Sequence, residues 1–469
     1  MSHLIQNLIN IVGKEHVAHS AVDKLVYSHV AGAGGDFIGG EPDVIVMPGS
    51  TAEVSRIMQI ATRTRTPVVP RAAGSYHGGT QIPQQGGIVV DLGRMNRILE
   101  IDEERMIVVA QGGASVYNVM RQLDEKGLRF PQQPQYTSAP TIGAAVACNI
   151  SGVRVTRWGR LGEHIIGLEV VLPNGEILML GSNAYRTKYG HYHRYMGTPD
   201  IMGLFVNSGG ILGLFTEVAV RVDHRMAVTD EISYGWPRDK IDDMVKAIYW
   251  LQRYDVCDVT TLNRWNYYSA LQRGKINIPE PIHFINNISV DGHSKEEYDI
   301  AERRFRDICE KYGGTDLGEL GRFTKGGPRY HAWRGGALWT GREFSLMFYH
   351  PTFALSEVYD LYEKKCRKYG LWSPRYLPTW FSNTEQNVLY SYPLLGETYP
   401  EDPAEVNNLK EWYDEIHIEL TKLGCVEYLI GDVFPKVVVD GLGPAYEFVK
   451  RIKRFVDPDN IMNPSHLWR

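Results

Sequence analysis

The chain has 469 residues, 43% of them hydrophobic, enough to bury more than one core and to form two or more domains. Its 50 basic and 55 acidic side chains leave a formal charge of -5, which excludes a basic field for nucleic acid and a polybasic membrane patch. No apolar run reaches the roughly 18 residues of a membrane span, and Met1 to Asn7 lacks the features of a secretory signal, so a cytoplasmic location is expected. The five cysteines (Cys148, Cys257, Cys309, Cys366, Cys425) contain no C-x-x-C pair, which argues against a zinc knuckle, an iron–sulfur cluster, a covalent haem or a disulfide framework.

Leu4, Ile5, Leu8, Ile9, Ile11 and Val12 recur at helical spacing and predict a helical lead-in over residues 1–30, broken at Gly32-Ala33-Gly34-Gly35. Pro42 to Pro48 reads as a short strand. Ser50 and Thr51, with Glu53 behind them, open a helix through about Ala61. The run ending at Val69 and the run Gly87 to Leu92 are strands on either side of the loop Pro70 to Thr80. Ile107 to Gln111 is another strand, and Ser115 starts a helix to Glu125 that stops at Lys126-Gly127. The runs Gly167 to Leu172 and Ile177 to Leu180 flank Asn174-Gly175, a hairpin signal, and Leu204 to Val222 is a further apolar block.

From about residue 228 helices near 239–254, 295–312, 355–369 and 403–423 alternate with strands near 282–290, 344–349 and 387–392, the texture of an α+β domain. A last helix runs from Pro444 to Val456, and Asp457-Pro458-Asp459-Asn460 breaks it ahead of Ile461-Met462-Asn463-Pro464.

The loop Pro70-Arg71-Ala72-Ala73-Gly74-Ser75-Tyr76-His77-Gly78-Gly79-Thr80 is the most informative segment. Three glycines and neighbouring small residues let backbone N–H groups converge on an anion, and Arg71 adds charge. A strand follows it, whereas the dinucleotide G-x-G-x-x-G pattern requires a helix and then an acid about 20 residues on. Aromatic residues thicken after about residue 329, which suits either a pocket for a planar ligand or core packing and an oligomer interface.

The glycine loop, Gly87 to Leu92, Pro131 to Gly143, Gly167 to Gly175, the Gly213 block and Asp457 to Pro464, in this order, resemble the FAD-binding flavoproteins of the vanillyl-alcohol oxidase and p-cresol methylhydroxylase (PCMH-type) family. The resemblance implies an α+β fold with a two-subdomain PCMH-type FAD-binding domain over 1–228. It further implies an α+β substrate (cap) domain with an antiparallel sheet over 229–430, and a C-terminal segment, 431–469, that returns to the FAD domain. It implies FAD, with Arg71, Ala73, Gly74, Ser75, His77 and Gly78 against the pyrophosphate. Gln133, Pro134, Thr141, Ile142, Gly143, Asn149 and Gly152 would line the ring and ribityl chain, Ile165 would lie nearer the adenine, and Asn463 would reach back to the flavin.

Relatives that oxidise D-2-hydroxy acids usually carry a His-x-Gly-Asp-Gly-Asn-type metal segment; none occurs here, and no metal site is expected. Ala332-Trp333-Arg334, Leu346 to Pro351 and Gly424 to Tyr428 are instead similar to segments of the phenol-oxidising branch. Tyr76 falls where that branch has a phenol-contacting tyrosine, and Glu163-His164 where it has an Asp-His pair.

The implied reaction takes hydride from a para-hydroxybenzylic compound, an alkylphenol or aryl alcohol, to flavin N5 through a quinone methide. Tyr76 and Tyr428 would hold the phenolate, Glu163 would be the carboxylate near N5, and Arg334 or Arg342 would be the cation. Two features depart from the branch: Leu429 stands where it has an arginine after Glu-Tyr, and the spacing from Glu163 to Gly167 is closer to the hydroxy acid branch. A metal-free dehydrogenase of lactate- or glycolate-like D-2-hydroxy acids, or an electron-transfer subunit of a larger complex, stays open beside it. Tyr390 or Tyr392 lies near where some relatives tether the flavin covalently. The expected partners are a small-molecule substrate, an electron acceptor that is O2, a cytochrome or another redox protein, and a second copy of the chain or other subunits of a redox complex.

Overall fold

The structure is a computed structural model that describes residues 2–29, 38–76, 78–134, 139–152, 154–254, 257–264, 278–318, 342–376, 378–385, 388–398, 402–429 and 436–466. A βαβ unit opens it. Strands Val44–Val46 and Val68–Arg71 run parallel to Ile88–Asp91, which lies between them, and helix Thr51–Thr64 makes the crossover. The Ser50 hydroxyl accepts from Glu53 N–H and starts this helix, and Arg65, at φ 49°, ends it in the left-handed region. Val54, Ile57, Met58 and Ala61 bury its inner face with Leu8 of helix Ser2–Val12.

The helical lead-in is interrupted. Gly13, at φ 91°, ends helix Ser2–Val12, and Val17–Ala18 then pairs with Ile45 and Val46 before a second helix, Ala21–Tyr27.

The chain end completes this layer. Val68 N–H donates to Ile461 O at 2.7 Å and Asn463 N–H to Val68 O at 2.7 Å. Asp457 accepts from Ile461 N–H (3.1 Å) and Met462 N–H (2.8 Å), while the buried Lys453 pairs with Asp457 and donates to Ile211 O and Met462 O. The Asp-Pro motif read as a helix breaker is therefore a clamp holding the C-terminal segment against Val68 and the Ile211 loop.

A second, antiparallel sheet has the order Ile98–Asp102, Ile107–Gln111, Leu214–Arg221, Ile165–Val171, Ile177–Gly181. Its Asn174-Gly175 turn forms as read, with Gly175 at φ 86° and Leu172 N–H bonded to Glu176 O at 2.9 Å.

The third sheet has eight antiparallel strands, in the order Thr315–Asp316, Val228–Pro237, Ile282–Gly292, Cys257–Asn263, Phe381–Glu385, Val388–Ser391, Phe348–Pro351, Val426–Glu427. Four helices, Ile241–Leu251, Lys295–Lys311, Leu355–Lys368 and Pro403–Lys422, cover one face over a core that includes Trp236, Phe284, Trp380 and Trp412. Strand alternation sends Phe348 and Leu389 into that core, and Tyr349 and Tyr390 to the opposite face. The strand expected near 344–349 is split: Arg342–Ser345 pairs with Leu394–Thr398, Leu346 and Met347 turn, and Phe348–Pro351 joins the large sheet. The fold is thus α+β, with PCMH-type sheets and a helix-covered antiparallel layer. Among the described residues no helix is long and apolar enough to cross a membrane.

Candidate active site

A cleft runs where the three sheets meet, lined by residues from each of them. Its first wall is the loop after strand Val68–Arg71. Gly74 sits at φ 67°, and a Cβ there would lie 2.7 Å from the Arg71 Nη2, so glycine lets the arginine fold beneath the loop. The buried Gln81 amide donates to Gly74 O (3.2 Å) and Tyr76 O (2.6 Å). Among the described residues, none of the N–H groups of Ala72 to Tyr76 takes part in a hydrogen bond, which leaves them for an anion. Arg71 donates to Tyr27 O (2.8 Å) and His29 O (3.2 Å) and lies over the Tyr27 ring; burial lowers its pKa.

The second wall is nearly all glycine and alanine: Gly112, Gly143 to Ala145, Ala147, Gly209, Gly210 and Gly213. A Cβ on Gly112 would overlap the Phe215 carbonyl oxygen, and one on Gly143 would come within 2.9 Å of Gly112 O. Helix Ile142–Ala147 starts where Thr141 caps Ala144 N–H. The Ser151 hydroxyl, on the same wall, is buried without a hydrogen-bond partner.

The third wall is aromatic. Tyr390 of the large sheet, and Met347, Tyr392 and Tyr428, each one residue beyond the end of one of its strands, face Tyr76 and Cys148. The Tyr390 and Tyr428 ring centres are 5.0 Å apart, Tyr349 and Tyr390 5.3 Å, and Tyr390 and Tyr392 6.5 Å. Tyr76 donates its hydroxyl to Leu429 O at 2.8 Å, and the Tyr428 oxygen accepts from Ser151 N–H at 3.3 Å. Burial raises the pKa values of Tyr76, Tyr349 and Tyr428 well above the usual phenol, so all three stay protonated at neutral pH. The Arg160 guanidinium lies 3.7 Å from the Tyr349 ring centre, and its Nε donates to Glu385 at 2.9 Å.

The residues named from the sequence separate into three groups. Arg71, Ala73, Gly74, Ser75, Tyr76, Pro134, Thr141, Gly143, Tyr390, Tyr392 and Tyr428 line the cleft. The others described lie off its wall. Ile142 and Ile165 are core residues; Asn149 accepts from Gly162 N–H, Gly152 donates to Gln132, and Asn463 donates to Gly209 O. Gly78 packs beside the Tyr76 ring, Gln133 lines a separate small pocket, and Glu163 is exposed on a turn beside Gly159. His164 donates to or accepts from nothing on the cleft wall; its ring contacts Trp158 O, and burial lowers its pKa. His77, Arg334 and the Arg342 side chain lie outside the described residues.

Several lining residues were missed by sequence reasoning. Gln81 and Ser151 carry no local signal, because their roles come from hydrogen bonds or burial set by the loop and the tyrosine wall. Gly112, Gly209 and Gly210 did carry one: each is a glycine next to an apolar block. Arg160, which stands behind the wall against Tyr349 rather than on it, could not be found from Leu429, since it arrives from a different segment.

The cleft fits FAD on three grounds: an N–H-lined loop, backbone walls that leave no room for side chains, and an unpartnered serine hydroxyl. Residues 42–181 match the family described as an FAD binding domain. The fold superposes on p-cresol methylhydroxylase with substrate bound at a TM-score of 0.84, with 17% identity over 99% of this chain and 96% of that one. It superposes on a 4-ethylphenol oxidase from Gulosibacter chungangensis, in complex with isoeugenol, at 0.85, with 17% identity over 100% and 97%. Residues 42–181 thus form an FAD binding domain, within a chain that has the fold of p-cresol methylhydroxylase.

In sequence the chain is similar to the glycolate oxidase subunit GlcD of Bacillus subtilis, 36% identical over 217 residues. That match covers 46% of this chain and 44% of the relative, so it spans less than half the relative's length. It is also similar to the mitochondrial D-lactate dehydrogenase (cytochrome) of Arabidopsis thaliana, 26% identical over 444 residues, 91% of this chain and 73% of the other. Among the described residues no cluster of His, Cys, Asp and Glu could hold a metal ion.

Proposed function

We propose that this protein is an oxidoreductase that takes hydride from the benzylic C–H of a para-hydroxybenzylic compound, an alkylphenol or aryl alcohol. The observation that carries this reading is the wall of Tyr76, Tyr390, Tyr392 and Tyr428 at one end of the FAD cleft. FAD, when bound, supplies the hydride acceptor. The N–H groups of Ala72 to Tyr76, with Arg71 beneath them, hold its pyrophosphate, and the glycine and alanine wall with Pro134, Thr141 and Ser151 takes the ribityl chain and ring. A domain division at 1–228, 229–430 and 431–469 accompanies this assignment.

The tyrosines give a flat ring an apolar slot. The Tyr428 oxygen accepts from Ser151 N–H, so its own proton remains to be donated to a phenolate. Its raised pKa keeps that proton in place at neutral pH. Tyr76, committed to Leu429 O, closes and orients the slot without donating to substrate. Arg160, beside Tyr349 and Tyr428, supplies the positive charge that Leu429 does not, together with Arg334.

A second reading, oxidation of a D-2-hydroxy acid without a metal, is favoured by the names of the sequence relatives. There the same Arg160 takes the substrate carboxylate. Anaerobic titration of the FAD-loaded protein decides between them. Bleaching of the flavin band by 4-ethylphenol but not by D-lactate or glycolate supports the first reading; bleaching by the hydroxy acids alone replaces it with the second. No bleaching by any of the three moves the protein to an electron-transfer subunit. Flavin linkage at Tyr390 or Tyr392 is tested by acid precipitation: yellow colour released wholly to the supernatant rules it out. The acceptor, O2 or a redox protein, follows from whether air alone restores the colour.

A further inference from the structure

Beside Gln133, a second, small pocket opens between the second sheet's flank and the start of the large sheet. Arg129, Gln133, Arg154, Arg225, Thr229 and Asp124 line it. Its floor is a buried charge cluster. Arg129 and Arg154 donate to the same Asp291 oxygen at 3.0 and 3.1 Å; Arg157 lies 4.0 Å from that oxygen, and Arg154 lies 3.9 Å from Asp258. Asp258 also accepts from Arg157 N–H at 3.3 Å, and Asp291 from the Thr229 hydroxyl at 2.7 Å.

The charges do not balance. Three guanidinium groups face two carboxylates, so one positive charge is in excess, and buried charges require partners. The hydrogen-bonding capacity does not balance either. Arg129 Nη2 and Arg157 Nη1 are buried without a hydrogen-bond partner, and so is one Asp258 oxygen. Arg129 and Arg157 lie over the Trp158 ring at 5.2 and 4.6 Å, a contact that softens a cation's burial but accepts no hydrogen bond. Burial and the neighbouring Arg154 pull the Arg129 pKa down to about 10, so it stays charged at neutral pH. The exposed Arg225 adds a fourth guanidinium to the lining and Asp124 a third carboxylate, which leaves the excess at one positive charge.

We infer that this pocket binds one compact oxyanion, a carboxylate or phosphate group, between Arg129, Arg154 and Arg225. Planar guanidinium donors match two oxygens of such a group, and the Gln133 amide can donate to a third. The arginines come from the FAD-binding part and the aspartates from the large sheet, so the anion sits at the seam between them. This site is separate from the FAD cleft, and it does not depend on which substrate the cleft takes.

The test uses the FAD-loaded full chain and isothermal titration with sodium phosphate, sodium acetate and sodium chloride at matched ionic strength, read beside the melting temperature. One equivalent of phosphate or acetate is expected to bind and to raise the melting temperature, with chloride doing neither. Arg225→Gln, at the exposed mouth, is expected to weaken binding about tenfold, the loss of one charge-assisted hydrogen bond, with FAD content unchanged. Arg129→Gln is expected to weaken it further. Phosphate binding without acetate binding assigns the phosphate source, and the reverse assigns the carboxylate. Equal effects of chloride, affinity unchanged in Arg225→Gln, or no binding of either oxyanion would each overturn the inference.

Discussion

The two ends of the cleft are built from different materials. At the FAD end the walls are backbone and glycine, and an added methyl group at Gly112 meets the Phe215 carbonyl. At the other end they are tyrosine side chains on and beside a sheet whose opposite face is packed with tryptophan and leucine. A backbone-built site is tied to one shape, because only glycine permits the close approach. A site built from side chains can be retuned one residue at a time without disturbing the fold. This difference is why the chain matches an FAD binding domain while its relatives and structural neighbours carry different substrates in their names.

The sharpest way to break the comparison is Gly112→Ala. It is expected to cost roughly 3 kcal/mol or more and to abolish FAD retention, read by thermal melting and by bound flavin. A variant that keeps both would show that the backbone wall is more forgiving than its geometry indicates. At the other end, Tyr428→Phe should keep its flavin and its melting temperature, while kcat/KM for phenols falls about tenfold to a hundredfold, the worth of a hydrogen bond to a charged group. Unchanged kinetics would remove Tyr428 as a phenolate donor.

The seam between the two parts has its own pH signature. Burial first, and then Asp291, push the Asp258 pKa up to about 6, against the opposing pull of Arg154 and Arg129. The folded chain therefore holds this proton in a range where the unfolded chain has lost it. The resulting stability is full below about pH 4 and is lost as pH rises to about 6, a change of about 3 kcal/mol. Asp291 behaves oppositely. Although its burial raises the pKa, Arg154 and Arg129 outweigh this and bring it to about 2, so its contribution is present above about pH 4 and fades only below. Of these two aspartates only Asp258 moves between pH 4 and 6, and because the buried His283 and His350, lowered to about 4, act in the opposite sense, the readout is the difference: the urea midpoint of Asp258→Asn should gain on that of the native chain as pH rises from 4 to 6. Parallel curves for the two proteins would remove Asp258 as its source. The smallest effect expected is that of Glu163→Gln. Its side chain is exposed and off the cleft wall, so flavin reduction should change less than twofold in stopped-flow measurements.

Much of the architecture was legible in the residues. Capping hydroxyls marked the start of helix Thr51–Thr64, the helices expected near 295–312 and 403–423 form as Lys295–Lys311 and Pro403–Lys422, and Asn174-Gly175 marked its hairpin. These signals are local, carried by residues within a turn of one another. The split of the strand near 344–349 was not legible, because only the pairing partners, Leu394–Thr398 on one side and Val388–Ser391 on the other, divide it.

By itself the sequence determined the α+β fold and the FAD binding domain, and it marked the loop whose glycines, small residues and one arginine suit an anion cradle. Only the tertiary structure decided which side chains meet at its far end. It put Tyr428 against Ser151, spent the Tyr76 hydroxyl on Leu429, brought Arg160 to Tyr349, and left Glu163 in solvent. The physical reason is distance along the chain. The loop's backbone groups are neighbours by covalent connection, whereas 277 residues separate Ser151 from Tyr428 and 353 separate Tyr76 from Leu429, and only packing brings them together.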